Sequence, residues 1–299
     1  AQNQTFTLDF VTIVGVNKVS VIPSNTVVES FRNFWFTLDE IETPQSTTNV
    51  TIRSVGNELN LSNTTIGSGV TQLEGTRRDL GSGVNITDGR DDIGRTLVGT
   101  VRRDELRGRG GDDTFIPGDG EDTIIGGTGN DRILINAESN VTDRKSISGG
   151  SGTDSLVVNS TTISELITER DFQTTTLETI DLRGGSSSGV TLSVRDAASI
   201  DNVSVGVEII GDGATDKVVF RNSGFQVREQ FTFNGIDAIE MASTSRREAL
   251  AFSSDTQITN ASTFTITGAQ INNGDSHELL LRESDFNSSS TPSFDFSNI

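Results

Sequence analysis

In GRGGDDTFIPGDGEDTIIGGTGNDRIL, residues 108–134, glycine, aspartate and one large apolar residue return every nine positions. The apolar series is Leu97, Leu106, Phe115, Ile124 and Ile133, nine apart without a slip. So short and strict a period marks a repeat architecture, and nine residues are too few for a helical repeat. They fit a glycine-rich turn of about six residues followed by a strand of about three, so that two turns make one coil of a parallel β-roll.

Divided at the anchors, the turns read GTVRRDELR (99–107), GRGGDDTFI (108–116), PGDGEDTII (117–125) and GGTGNDRIL (126–134). The sixth position is aspartate each time: Asp104, Asp113, Asp122 and Asp131. Successive turns of a roll lie on opposite edges, so Asp104 is expected to stack with Asp122, and Asp113 with Asp131. Carboxylates at strand spacing, about 4.8 Å, repel strongly unless a cation lies between them. The glycines Gly108, Gly110, Gly111, Gly118, Gly120, Gly126, Gly127 and Gly129 let the loop backbone take left-handed angles and turn carbonyls inward. Six to eight carboxylate and carbonyl oxygens suit a hard cation of calcium's size, whereas Zn²⁺ calls for His or Cys and Mg²⁺ keeps more water.

These turns resemble the calcium-binding nonapeptide repeats of the RTX (repeats-in-toxin) family, G-G-x-G-x-D-x-U-x with U a large apolar residue. GGTGNDRIL fits at every position, GRGGDDTFI lacks one Gly, PGDGEDTII has Pro117 for the first, and GTVRRDELR keeps the first Gly and the Asp. GGSGTDSLV at 149–157 is a fifth match, with Gly149, Gly150, Gly152 and Asp154. The segment 135–148 is one nine-residue turn plus a five-residue insertion, which returns Asp154 to the edge of Asp131. The resemblance covers about 60 of the 299 residues. It implies two or more Ca²⁺ ions, one of them between the loops 126–131 and 149–154. It also implies a bacterial protein kept unfolded in low cytosolic calcium and folded by millimolar calcium outside the cell.

The chain carries 42 Asp plus Glu against 23 Lys plus Arg, a formal charge of -19, which disfavours nucleic acid and anionic lipid and favours cations. Just three residues are lysine: Lys18, Lys145 and Lys217. The absence of Cys removes disulfides, thiolate metal sites and Cys nucleophiles. Abundant Gly, Ser, Thr, Asn and Val suit many short strands and tight turns. No apolar run approaches the roughly 18 residues of a membrane span, so membrane insertion is not expected. The opening AQNQTF is compatible with an end left by signal cleavage.

The expected fold is all-β, with a parallel β-roll or β-solenoid in the middle flanked by further strands. Residues 1–89 form an N-terminal β-strand region in which TFTLDFVTIVGV, NVTIRSV and NELNLS alternate, and 90–159 form the calcium-binding roll. GSG at 67–69 and the segment 81–92 read as loops, and 162–171 and 194–201 could each hold a short helical turn. Residues 160–299 show a loose repeat of about sixty residues, LETIDLRGG resembling IDAIEMAST and VEIIGDGATDKVVF resembling FTITGAQINNGDSHELLL. This half reads as a continued solenoid, with a separate β-sandwich as the alternative. LETIDLRGG followed by VTLS also resembles stretches that follow such repeats in large bacterial surface proteins.

No nucleophile elbow, zinc motif or phosphate loop is present, so no enzyme is expected. His277 is the single histidine and reads as a surface or turn residue; the cluster Phe31, Phe34, Trp35 and Phe36 reads as core, with glycan stacking on Trp35 as the functional alternative. Ten Asn-x-Ser/Thr sequons carry little weight in a chain this rich in Ser and Thr. The strands TFTLDF and SFDFSNI stand near the two ends of the sequence; each either pairs within its own subunit or completes a neighbour's sheet. The reading is a secreted calcium-binding structural protein of a bacterial cell surface or matrix, a fibre, sheath or surface-layer subunit. Its expected partners are copies of itself and cell-surface polysaccharide. The alternatives are an extracellular enzyme acting on polysaccharide and a non-polymerising glycan-binding adhesin.

Overall fold

The computed structural model describes residues 4–8, 18–20, 26–30, 40–43, 45, 48–54, 58–75, 83–89, 92–136, 145–168, 173–194, 206–212, 215–220, 226–227, 231–241, 248–251, 257–259, 265–268, 277–280 and 293–294. Among them every regular element is a β-strand and there is no helix. Strands pair in parallel, and the chain is a β-solenoid. Among the described residues of 160–299 the strands pair in parallel, as in a solenoid and unlike an antiparallel sandwich. By internal contacts the chain divides into two compact units, residues 1–134 with 143–154, and residues 135–142 with 155–299.

The first unit is built on the nine-residue period. Leu97 pairs with Leu73 on one side and Phe115 on the other, and Phe115 pairs in turn with Ile133. Ile86, Leu106, Ile124 and Ile147 make the matching row of a second sheet. All eight side chains are buried, at most 1% exposed. The alternation is that of a half-buried strand: in Glu105–Gly110 the residues Leu106, Gly108 and Gly110 face inward while Arg107 and Arg109 face out. Each coil alone cannot bury its anchors; stacking buries them on the coils before and after.

Several expectations change here. The segment read as a loop at 81–92 contains the strand Asn85–Thr87, because Ile86 continues the row of Leu106 back to Leu59. The expected helical turn at 162–171 is replaced over 165–168 by the strand Glu165–Thr168, whose Leu166 pairs with Leu192. Residues 169–172 and 195–201 lie outside the described residues, as do Phe31, Phe34, Trp35 and Phe36. His277 opens the strand His277–Leu280, paired with Glu248–Ala251. Near the ends of the chain, Gln4–Leu8 pairs with Thr26–Ser30 and Ser293–Phe294 with Thr265–Gly268.

In the second unit the rows are Leu156, Ile180, Ile209 and Phe233, and Leu166, Leu192, Val218 and Ile239. The segments alike in sequence at 177–185 and 236–244 fall on different sheets, with Thr179–Asp181 in one and Ala238–Met241 in the other.

Candidate metal site

Each strand of the roll is preceded by a glycine-rich turn whose sixth residue sits at the strand's entrance, and register alone sets what stacks there. Thr96, Thr114 and Arg132 are partners across three coils, so the residues just before them, Arg95, Asp113 and Asp131, form one column. Asp154 extends it, accepting the Asp131 N–H at 2.8 Å. On the opposite edge Glu105, Thr123 and Ser146 are partners, which aligns Asp104, Asp122 and Lys145. The expected pairings of Asp104 with Asp122, and of Asp113 with Asp131 and Asp154, are all present.

The columns share one hydrogen-bonding rule. Oδ1 of each aspartate accepts the N–H of the sixth-position residue one coil earlier: Asp104 from Val84 (2.6 Å), Asp113 from Arg95 (2.7 Å), Asp122 from Asp104 (2.8 Å) and Asp131 from Asp113 (2.8 Å). This satisfies a backbone donor that the turn leaves out of the ladder. It also explains why aspartate and not glutamate is needed, since the carboxyl must reach back from the strand entrance.

The second oxygen distinguishes the edges. Oδ2 of Asp113, Asp131 and Asp154 is buried and accepts no hydrogen bond. Oδ2 of Asp104 takes the Thr100 N–H at 2.5 Å and its hydroxyl at 3.1 Å. Oδ2 of Asp122 takes the Lys145 ammonium at 2.7 Å. A buried carboxylate oxygen with no donor is costly unless it is protonated or meets a cation. Accordingly, burial pushes the Asp113 carboxyl up to about 8, against the hydrogen bond from Arg95 and with the charges of Asp88 and Asp131 adding to the rise. Burial likewise raises Asp122 to about 7 despite Lys145, and Asp131 to about 6. It raises Asp104 too, opposed by the bonds from Thr100 and Val84.

The glycines bring carbonyls to the same place. A Cβ at Gly108 would fall 2.2 Å from Asp113 Oδ2 and 2.8 Å from the Gly126 carbonyl oxygen; one at Gly126 would fall 2.2 Å from both Asp131 Oδ2 and the Gly149 oxygen. The space that a side chain would fill is bounded by a carboxylate oxygen and by the first carbonyl of the next loop. Gly111, Gly118, Gly120, Gly127, Gly129, Gly150 and Gly152 all have positive φ, while Gly110 lies within the strand Glu105–Gly110 and Gly149 within Ser146–Ser151. Where Arg109 replaces glycine at the second position of its turn, the backbone keeps the left-handed form, with φ 77°. No group of three or more His, Cys, Asp or Glu side chains gathers at one point among the described residues, so an ion at these turns would have to take most of its oxygens from the backbone. That donor set, hard oxygen with few carboxylates, fits calcium.

Four further buried charges escaped the sequence reading: Asp88, Arg95, Lys145 and Asp216. Arg95 donates to Asp88 Oδ1 at 3.1 Å and to the carbonyls of Ile66, Val70 and Ile93 at 3.1 to 3.3 Å. Lys145 donates to the carbonyls of Gly118 (3.1 Å) and Gly120 (2.8 Å) as well as to Asp122. Asp216, in the second unit just before the strand Lys217–Phe220, accepts the Val190 N–H at 2.6 Å and the Asp212 N–H at 2.9 Å. For Asp216 there was a signal, Gly at the first and Asp at the sixth position of the sequence GDGATD. For the two basic residues there was none, because their positions follow from which coil stacks on which.

Comparison with known proteins agrees with this geometry. Searches of curated proteins and of solved structures give no match to the chain. The family model of the RTX calcium-binding nonapeptide repeat matches residues 98–133 in four copies, the segment that holds Asp104, Asp113, Asp122 and Asp131. Residues 98–133, within the roll of the first unit, are thus RTX calcium-binding nonapeptide repeats.

Proposed function

We propose that the protein is a secreted calcium-binding structural subunit of a bacterial cell surface or extracellular matrix, folded by external calcium and assembling with copies of itself. The observation that carries the calcium reading is Asp113 Oδ2, fully buried, accepting no hydrogen bond and bordering, with the Gly126 carbonyl, the space beside Gly108. The loops 108–113, 126–131 and 149–154 would hold the ions, through Asp113, Asp131, Asp154 and the carbonyls turned in by their glycines. Bound calcium supplies the positive charge that lets these carboxylates stay ionised inside the roll.

The structural role is supported by the chemistry of the rest of the chain. The solenoid rows are apolar, and Oδ1 of each column aspartate ties its coil to the one before it, an arrangement suited to a structural role. The strands Gln4–Leu8 and Ser293–Phe294 each end the order of strands in their sheet among the described residues, and a parallel sheet end is a template for another strand. Cell-surface polysaccharide is the second expected partner. No helix among the described residues is long and apolar enough to cross a membrane.

Circular dichroism and negative-stain electron microscopy of the purified chain, in millimolar calcium and in chelator, test the two parts separately. Strand signal and ordered filaments or sheets in calcium are the expected result. Calcium-dependent folding into dispersed monomers would leave the calcium reading standing and overturn the assembly. Release of sugar from polysaccharide would support an enzyme in its place, and monomeric glycan binding an adhesin.

A further inference from the structure

We propose that calcium binds along only one edge of the roll, that of Asp113 and Asp131, and that the opposite edge is closed without metal, its last ion position being taken by the ammonium of Lys145. This deepens the calcium reading of the repeats and rests on it. Its starting point is a contrast between two columns that the repeat pattern makes look alike. On the edge of Asp104 and Asp122 each carboxylate oxygen already has a donor from the protein. Asp104 holds the N–H of Val84 and the N–H and hydroxyl of Thr100; Asp122 holds the N–H of Asp104 and the ammonium of Lys145. On the other edge Asp113 Oδ2 has no hydrogen-bond donor.

Lys145 occupies an ion's place in both position and ligands. Register puts it one coil after Asp122, at the sixth position of a turn where the pattern would have aspartate. Its side chain is fully buried, and its three ammonium donors meet one carboxylate oxygen, Asp122 Oδ2, and two carbonyl oxygens of the same turn, Gly118 and Gly120. A carboxylate plus inward carbonyls of a glycine-rich turn is the oxygen set that a hard cation would take. The amine thus supplies one positive charge and three donors, and a calcium ion at the same oxygens would meet a fixed cation in a region shut off from water. Thr100 acts similarly one coil earlier: it stands where the pattern has its second glycine, and its hydroxyl covers Asp104.

Calcium stoichiometry of the full chain, by native mass spectrometry and isothermal titration calorimetry, tests the assignment. Asp113→Asn and Asp131→Asn are each expected to lose at least one bound ion, Asp122→Asn to keep the wild-type number, and Lys145→Asp to gain one. Loss of an ion in Asp122→Asn, or no gain in a folded Lys145→Asp, overturns the proposal. Should Lys145→Asp fail to fold, the wild-type chain decides by lysine acetylation in saturating calcium, since Lys217 is partly exposed and serves as the internal reference. Lys145 is expected to react at least about tenfold more slowly than Lys217, as a group released only by local opening. Equal reactivity would mean that calcium has displaced the ammonium, and overturns the edge assignment alone. A wild-type chain that binds no calcium by either method overturns the calcium reading itself, and the edge assignment with it.

Discussion

In the proposed reading, Asp113 is a single side chain that couples folding to an ion. Its Oδ1 is committed to the Arg95 N–H, and its Oδ2 is left to burial. Because burial raises the folded pKa of Asp113 to about 8 and of Asp131 to about 6, the folded chain without calcium binds more protons than the unfolded chain above about pH 4. Stability in chelator is therefore expected to fall as the pH rises from about 4 to about 8, and calcium, which favours the ionised form, should flatten or reverse that slope. Thermal midpoints measured across this range, with chelator and with calcium, check the sign; a midpoint that rises with pH in chelator would contradict it. Gly126→Ala would place a methyl group 2.2 Å from both Asp131 Oδ2 and the Gly149 oxygen. A loss of about 1–3 kcal/mol is expected from the crowding, with weaker calcium binding, read by thermal denaturation and calorimetry. Arg109→Gly should do the opposite: relief of the left-handed cost at φ 77°, about 1 kcal/mol, exceeds the loss of its exposed hydrogen bond to Ser62 and raises the thermal midpoint.

At the scale of the strand and its turn, apolar rows and aspartate columns make complementary contributions. Phe115 is fully buried between Leu97 and Ile133, so Phe115→Ala should cost about 3–5 kcal/mol and lower stability by a similar amount with and without calcium. Asp113→Asn should behave differently, losing stability mainly in calcium while gaining in chelator near pH 7, since it removes a carboxyl with no donor at Oδ2 that must take up a proton when the chain folds without the ion. Denaturant titrations of the two variants under both conditions separate the rows from the columns. The nine-residue period made this level legible in advance: the anchors Leu97 to Ile133, the Asp stacks and their two edges are where the spacing places them. The strand Asn85–Thr87 was missed because no Gly-Asp turn of the pattern precedes it, and only pairing with Glu105–Gly110 reveals it.

For the whole molecule, charge and coil stacking point the same way. A net charge of -19 makes the calcium-free chain repel itself, and part of that repulsion is concentrated where aspartates stack in columns. Strand content is expected to depend on calcium far more than on the same ionic strength of sodium chloride; equal recovery in either salt would indicate simple screening rather than bound ions.

Local, short-period information determined the repeat, the parallel roll, the apolar rows, the aspartate columns and the choice of calcium, because each depends on residues no more than a coil or two apart in a strict spacing. Tertiary structure alone decided what completes each column. Lys145 reaches Asp122 from 23 positions along the chain, across a coil of irregular length, and Arg95 reaches Ile66 from 29. Their roles are set by register between stacked coils, a non-local quantity that side-chain identity does not encode, and so a repeat with two like edges in sequence becomes a roll with two unlike edges in space.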